Sequence, residues 1–207
     1  MKTNVWMVAA ASALCVAGVS QASTVQPDQK ELTRAVQAFL ADHGDLCMAK
    51  YSWPRDVTPE DQQTGTNDAI QLPVLERLGV VKSEVVPATG PIKRYSLTPK
   101  GRQYYLKKKH VVLGPHDTPT EHDADFCVAH LTLDKVVKWS PPEPVHNHLE
   151  TVVRYTYHIK AADWMSEPEA QQVFPIVDKI IRGDGTMLMS ATVQLQNGKW
   201  VPALPVQ

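Results

Sequence analysis

The chain has 207 residues, 43% of them apolar, with 21 Lys and Arg against 22 Asp and Glu and a formal net charge of -1. That balance excludes a global field that would draw nucleic acid in or push it away, so any such recognition must come from local clusters. The apolar share is that of a globular protein large enough for one substantial core or two small ones.

Residues 1–22 read as an export signal. Lys2 gives a positive start, Val5 to Val19 is an apolar run, and Ser20-Gln21-Ala22 places small residues where a signal peptidase reads. The rival reading is a membrane anchor, but the run is shorter than the roughly 20 residues that cross a bilayer and is rich in Ala, Ser and Gly. Cys15 follows Leu14 rather than the small residue a lipoprotein signal needs, so it counts as one more apolar residue of the segment. The expected mature chain starts at Ser23 and is periplasmic or secreted, with no stable membrane span.

The first mature element is a helix. Asp28 and Glu31 have the spacing of a capping box, Leu32, Ala35, Val36, Phe39 and Leu40 recur on one face, and Gly44 ends it. Its apolar stripe is expected to pack on the helix and hairpin that follow. Cys47, Ala49, Tyr51 and Trp53 alternate with other residues up to Pro54 and suggest a short extended segment, whereas Thr58 to Asn67 is polar and reads as exposed. From Leu72 the pattern predicts a short helix opening at Pro73, with Val74, Leu75 and Leu78 apolar and Gly79 as its stop. A hairpin follows, with Val80, Val81, Val85 and Val86 on one arm and Tyr95 and Leu97 on the other around the Pro/Gly-rich 87–91. Thr98 and Pro99 then suit the N-cap and first position of a closing helix with Tyr104, Tyr105 and Leu106 on its apolar side.

The order helix, hairpin, helix over residues 72–106, with an arm reading Arg94-Tyr95-Ser96-Leu97-Thr98-Pro99-Lys100-Gly101-Arg102, resembles the wing region of winged-helix proteins, many of them bacterial transcription regulators. The resemblance implies a winged-helix-like fold for this part and, in the regulators, a helix before the wing that enters the DNA major groove. Here that helix offers Glu76 and Arg77, with Pro73 where a base-reading side chain would be useful. Fold alone does not carry function.

Gly114 to Asp123 has no apolar periodicity and many turn formers, and reads as a linker. Beyond it the period becomes two. Cys127, Ala129, Leu131 and Leu133 share one side of a strand, and Thr151, Val153, Tyr155, Tyr157 and Ile159 share one side of another, opposite Arg154, Thr156, His158 and Lys160. The prolines at 141, 142 and 144 make a rigid turn. Val173, Ile176, Val177, Ile180 and Ile181 suggest helix interrupted at Pro175, and Met187 to Leu195 alternates again before Asn197-Gly198, a strong hairpin signal. The expected fold class is α+β: a winged-helix-like unit over 23–113, a linker over 114–124, and an antiparallel sheet carrying a helix over 125–207.

Cys47 and Cys127 remain once the signal is set aside, and an even pair in an exported chain predicts a disulfide. Redox catalysis would call for close spacing, and there is no Cys-x-x-Cys. His116, Asp117, His122 and Asp123, and separately His146 and His148, invite a metal, but each group is incomplete and the reading is solvated loop histidine. No nucleophile elbow, phosphate loop or zinc-protease motif is present, and Glu167 and Glu169 suit a helix first turn better than acid/base chemistry. No catalytic residue, metal or cofactor is therefore assigned.

The basic run of Lys93, Arg94, Lys100, Arg102, Lys107, Lys108, Lys109 and His110 would suit phosphate or another anionic partner, against the simpler reading of a solvated face. Candidate binding residues are Arg94, Lys100, Arg102, Tyr95, Tyr104, Tyr105, Tyr155, Tyr157 and Trp164, the aromatics lining a cleft between the two units or else filling two cores. The function expected from sequence is an exported, non-enzymatic binding or interaction module for an unknown protein or an anionic surface ligand, with no nucleic acid. The alternatives are a periplasmic, hydrolase-like enzyme whose site converges only in three dimensions, and a winged-helix DNA binder if the export signal is misread.

Overall fold

The computed structural model describes residues 26–87, 91–113 and 118–203. The export segment 1–22 and the pair His116 and Asp117 lie outside the described residues. What is described is α+β and rich in sheet.

Helix α1 (Gln29–His43) starts as its sequence requires: the Asp28 side chain accepts from Glu31 N while Glu31 reaches back to Asp28 N, and Gly44 stops it. Its stripe of Leu32, Ala35, Val36 and Leu40 is buried, but the partner is not the hairpin region. It packs instead on Leu131, Val136, Val153, Tyr155, Tyr157, Ala191, Val193 and Trp200, the inner face of the large sheet.

That sheet is antiparallel, in the order β1 (Asp45–Cys47), β8 (Asp125–Trp139), β10 (His148–Ala161), β11 (Met189–Gln196), β12 (Lys199–Pro202). The short β5 (Tyr105–Leu106) also pairs with β8, and β9 (Glu143–Val145) with β10. Period-two alternation turns Val153, Tyr155 and Tyr157 inward and Arg154, His158 and Lys160 outward. Two register shifts along the β8–β10 ladder add local twist, and the sheet curls as a half-barrel around α1, which touches β8, β11 and β12. The turn between β11 and β12 is Asn197-Gly198, both in the left-handed region at φ 51° and 76°, which a tight hairpin demands.

Between β1 and β5 lies a second, smaller assembly. Its sheet has the order β2 (Arg55–Val57), β4 (Pro91–Leu97), β3 (Val81–Pro87). Helices α2 (Pro59–Thr64) and α3 (Asn67–Arg77) lie between β2 and β3, and α4 (Pro99–Arg102) follows β4. The hairpin and the Thr98 cap match expectation, Thr98 Oγ1 accepting from Gly101 N. The polar 58–67 stretch is exposed or half-exposed, as expected, and contains α2, capped by a Thr58/Asp61 box. Two sequence expectations are corrected. Helix α3 begins six residues before Pro73, which sits inside it. Helix α4 ends at Arg102, because Tyr105 and Leu106 pair with Phe126 and Asp125 as β5.

The second core joins Val57, Leu72, Leu75, Val80, Val81, Tyr95 and Leu97 to Phe126, Val128, Trp164, Met165, Ala170 and Phe174. Each core thus draws residues from both sides of the 114–124 stretch. Within that stretch Pro119–His122 forms strand β7, paired with β6 (His110–Leu113). After β10 come a 3-10 turn (Asp163–Ser166), α5 (Pro168–Val173) and α6 (Pro175–Arg182), the break falling at Phe174-Pro175 as the sequence suggested. Among the described residues no helix is long and apolar enough to cross a membrane.

Candidate ligand-binding cleft

Strand β1 is tied to β8 by the Cys47–Cys127 disulfide, between residues that face each other in the ladder. The chain then leaves the sheet through a corner at Met48-Ala49-Lys50. Ala49 has φ 53°, a conformation that costs a non-glycine residue and needs support from its surroundings. Asp125 supplies that support. Its carboxylate, 4% exposed, accepts from Ala49 N at 3.2 Å, Lys50 N at 2.7 Å and Phe126 N at 2.6 Å.

The corner buries Lys50 to 2% exposure and aims its Nζ at Asp68 Oδ1, 2.7 Å away, on the first turn of α3. Arg55 of β2 meets the other oxygen, Oδ2, at 2.5 Å. Burial pushes the Lys50 ammonium below its ordinary 10.5, partly offset by the hydrogen bond and charge of Asp68. Burial by itself pushes Asp68 up, but hydrogen bonds and charge from Lys50 and Arg55 outweigh it and hold the carboxyl below its ordinary 3.8. These three side chains, with Asn67, Asp56 and Asp61, wall a polar cup of about 360 Å³ at the N-terminus of α3. Asp56 is held by a two-pronged pair with Arg94, and Asp61 by the Thr58 N–H and hydroxyl.

Met48, Asn67 and Gln71 also line a larger cleft of about 830 Å³. Its flanks are α3, through Ile70, Val74 and Arg77, and the α5–α6 corner, through Val173, Phe174, Pro175 and Ile176; Leu46 and Met48 form part of the remaining wall. The lining is predominantly apolar, and the size is that of pockets that enclose small organic molecules. Ile70 and Ile176 stand on its lips 50% and 74% exposed. Two polar contacts span it: Gln71 Nε2 donates to Val173 O, and Arg77 pairs with Glu169 at 2.7 Å.

The residues singled out from sequence are placed elsewhere. Tyr95 and Trp164 are buried in the core around the small sheet, Tyr155 and Tyr157 in the core around α1, and so the structure does not bring them together. Tyr157 is further occupied by donating its hydroxyl to Ile180 O. Tyr104 is half-buried edge-on to Phe126 and Trp164, and the Tyr105 hydroxyl donates to Tyr51 O. Most of the basic run has a partner: Lys93 with Glu76, Arg94 with Asp56, Lys100 with Leu78 O, Arg102 with Leu97 O, Lys108 with Asp45 and Lys109 with Glu121. His122 stacks on Tyr51 and His148 pairs with Glu150, and among the described residues no three His, Cys, Asp or Glu side chains gather as a metal group.

Sequence reasoning missed the cleft because its walls come from three separated stretches. One signal was available. Thr58-Pro59 with Asp61, and Thr66 two residues before Asp68, are helix-start patterns that mark α2 and α3 and leave Ile70 on a surface otherwise read as polar. No family model, curated protein or solved structure matches the chain.

Proposed function

We propose that this protein is an exported, non-enzymatic binding module whose ligand site is the cleft between α3 and the α5–α6 corner. The observation that carries the reading is the pairing of an apolar trough of about 830 Å³ with two isoleucines held out at its mouth, an arrangement that water makes unfavourable until something apolar covers it. The disulfide agrees with export to an oxidising compartment, and a reporter fused after residue 40 tests that part directly.

The order β2-α2-α3-β3-β4-α4 and the sheet order β2-β4-β3 support reading residues 55–102 as winged-helix-like. DNA binding is not part of this proposal. Helix α3, the counterpart of the groove-reading helix, spends Gln71 and Arg77 on α5, and most of the wing cations named above are paired within the chain.

The test is titration with N-phenyl-1-naphthylamine, a neutral apolar dye that brightens when it leaves water. Wild type should bind it, and Ile70→Asp with Ile176→Asp should weaken binding at least about tenfold, since each charge must be desolvated on entry. Both positions are exposed, so the double variant should melt within about 1 kcal/mol of wild type. Equal dye binding by the folded double variant sinks the cleft reading.

A further inference from the structure

The polar cup carries an observation that the apolar cleft does not use. The Lys50 ammonium has three N–H donors, lies 2% exposed on the floor of the cup, and among the described residues meets one acceptor, Asp68 Oδ1. A buried ammonium with donors to spare is costly unless a further acceptor arrives. Arg55 stands beside it with its remaining guanidinium donors. The wall also carries three carboxylates: Asp56 pairs with Arg94, Asp61 accepts from Thr58 through Oδ2, and Asp68 is shared by Lys50 and Arg55. Lys50 and Arg55 keep donors that Asp68 does not take, and what those donors fit is an anionic oxygen.

Met48, Asn67 and Gln71 line both the cup and the cleft, so the two spaces adjoin. We infer that the ligand is an alkyl carboxylate: its chain lies in the trough between α3 and α5–α6, and its carboxylate sits in the cup, accepting from Lys50 Nζ and Arg55. The inference rests on the cleft being the ligand site. Asp125 is a positioning residue here, since its three backbone hydrogen bonds hold the corner that buries Lys50. A carboxylate head offers these donors two charged acceptor oxygens, whereas an alcohol offers one neutral oxygen and a hydrocarbon none.

The experiment is isothermal titration of the full mature chain with decanoate and, separately, with 1-decanol, which has the same chain and no charge. Decanoate should bind at least about tenfold tighter than decanol, the size of one charge-assisted hydrogen bond made in a buried site. Lys50→Met and Arg55→Gln should each reduce that preference, and Ile70→Asp with Ile176→Asp should weaken both ligands. Equal affinity for the two ligands overturns the carboxylate assignment while leaving the cleft reading intact. Binding of neither ligand, or decanoate binding that the double aspartate variant leaves unchanged, overturns both. If Lys50→Met does not fold, the two-ligand comparison in wild type decides the matter by itself.

Discussion

Removing the disulfide as Cys47→Ala with Cys127→Ala is the perturbation whose size follows most directly from the structure. The two cysteines are 80 residues apart, and closing a loop of that length removes enough entropy from the unfolded chain to stabilise the native state by about 4 kcal/mol on the chain-entropy model. The folded state should change little. Met48 N still donates to Phe126 O, Asp125 still holds the Ala49-Lys50 corner, and Asp45 still meets Lys108 and His130. The effect therefore belongs mainly to the unfolded ensemble, and it should appear twice in a urea titration: a stability loss of about 2–4 kcal/mol, and a steeper dependence on urea because the uncrosslinked chain exposes more surface. Alkylation and intact mass of the unreduced protein check the starting point, which requires no free thiol at either position. A loss below about 1 kcal/mol with an unchanged slope would refute the entropic account, and two alkylated thiols would refute the bond.

Asp125→Ala leaves three backbone N–H groups without their acceptor, two of them buried, and releases Ala49 from its support, so it should cost about 3 kcal/mol or more in chemical denaturation, with Asp125→Asn recovering part. Arg77→Ala breaks a pair whose side chains are 57% and 37% exposed and should move stability by less than about 1 kcal/mol while changing dye affinity, because that pair spans the cleft. A Cβ on Gly101 would lie 2.1 Å from Val80 O, so Gly101→Ala should lose about 1–3 kcal/mol, read from its melting curve. For pH, the Asp68 carboxyl is depressed in the folded state, so its contribution is present above its ordinary 3.8 and is lost as pH falls through the lower folded value; Asp68→Asn should therefore flatten the acid limb of the stability profile below about pH 4.

Local chemistry was legible wherever one short stretch decides the outcome. The Asp28/Glu31 box, the Thr98-Pro99 start, the Phe174-Pro175 break and the Asn197-Gly198 turn each act within a few residues, and each is found where the pattern put it. The destination of α1 was not legible, since an apolar stripe states that a partner exists and not which one; the curled sheet offered the larger concave face. Tyr104, Tyr105 and Leu106 read as helix because their apolar side fits either period over so short a run, and pairing with Phe126 and Asp125 overrode it. The cleft and the cup were invisible for a related reason. Lys50 is unremarkable as a letter between Ala49 and Tyr51, and becomes a buried cation only because Asp125, 75 residues away, binds its backbone. Aromatic residues drew attention in sequence as a binding wall, yet flat apolar rings are also the best core fillers, and Tyr95, Tyr155, Tyr157 and Trp164 are buried as such.

The central claim, that an apolar ligand occupies the cleft between α3 and the α5–α6 corner, is tested most directly by methyl NMR on protein labelled at the isoleucine δ1 positions and titrated with decanoate. Ile70 and Ile176, on the lips of the cleft, should shift progressively and saturate together, while Ile92 in the hairpin and Ile159 in the sheet around α1 should stay in place. Saturating shifts at Ile92 or Ile159 with Ile70 and Ile176 unmoved would contradict it.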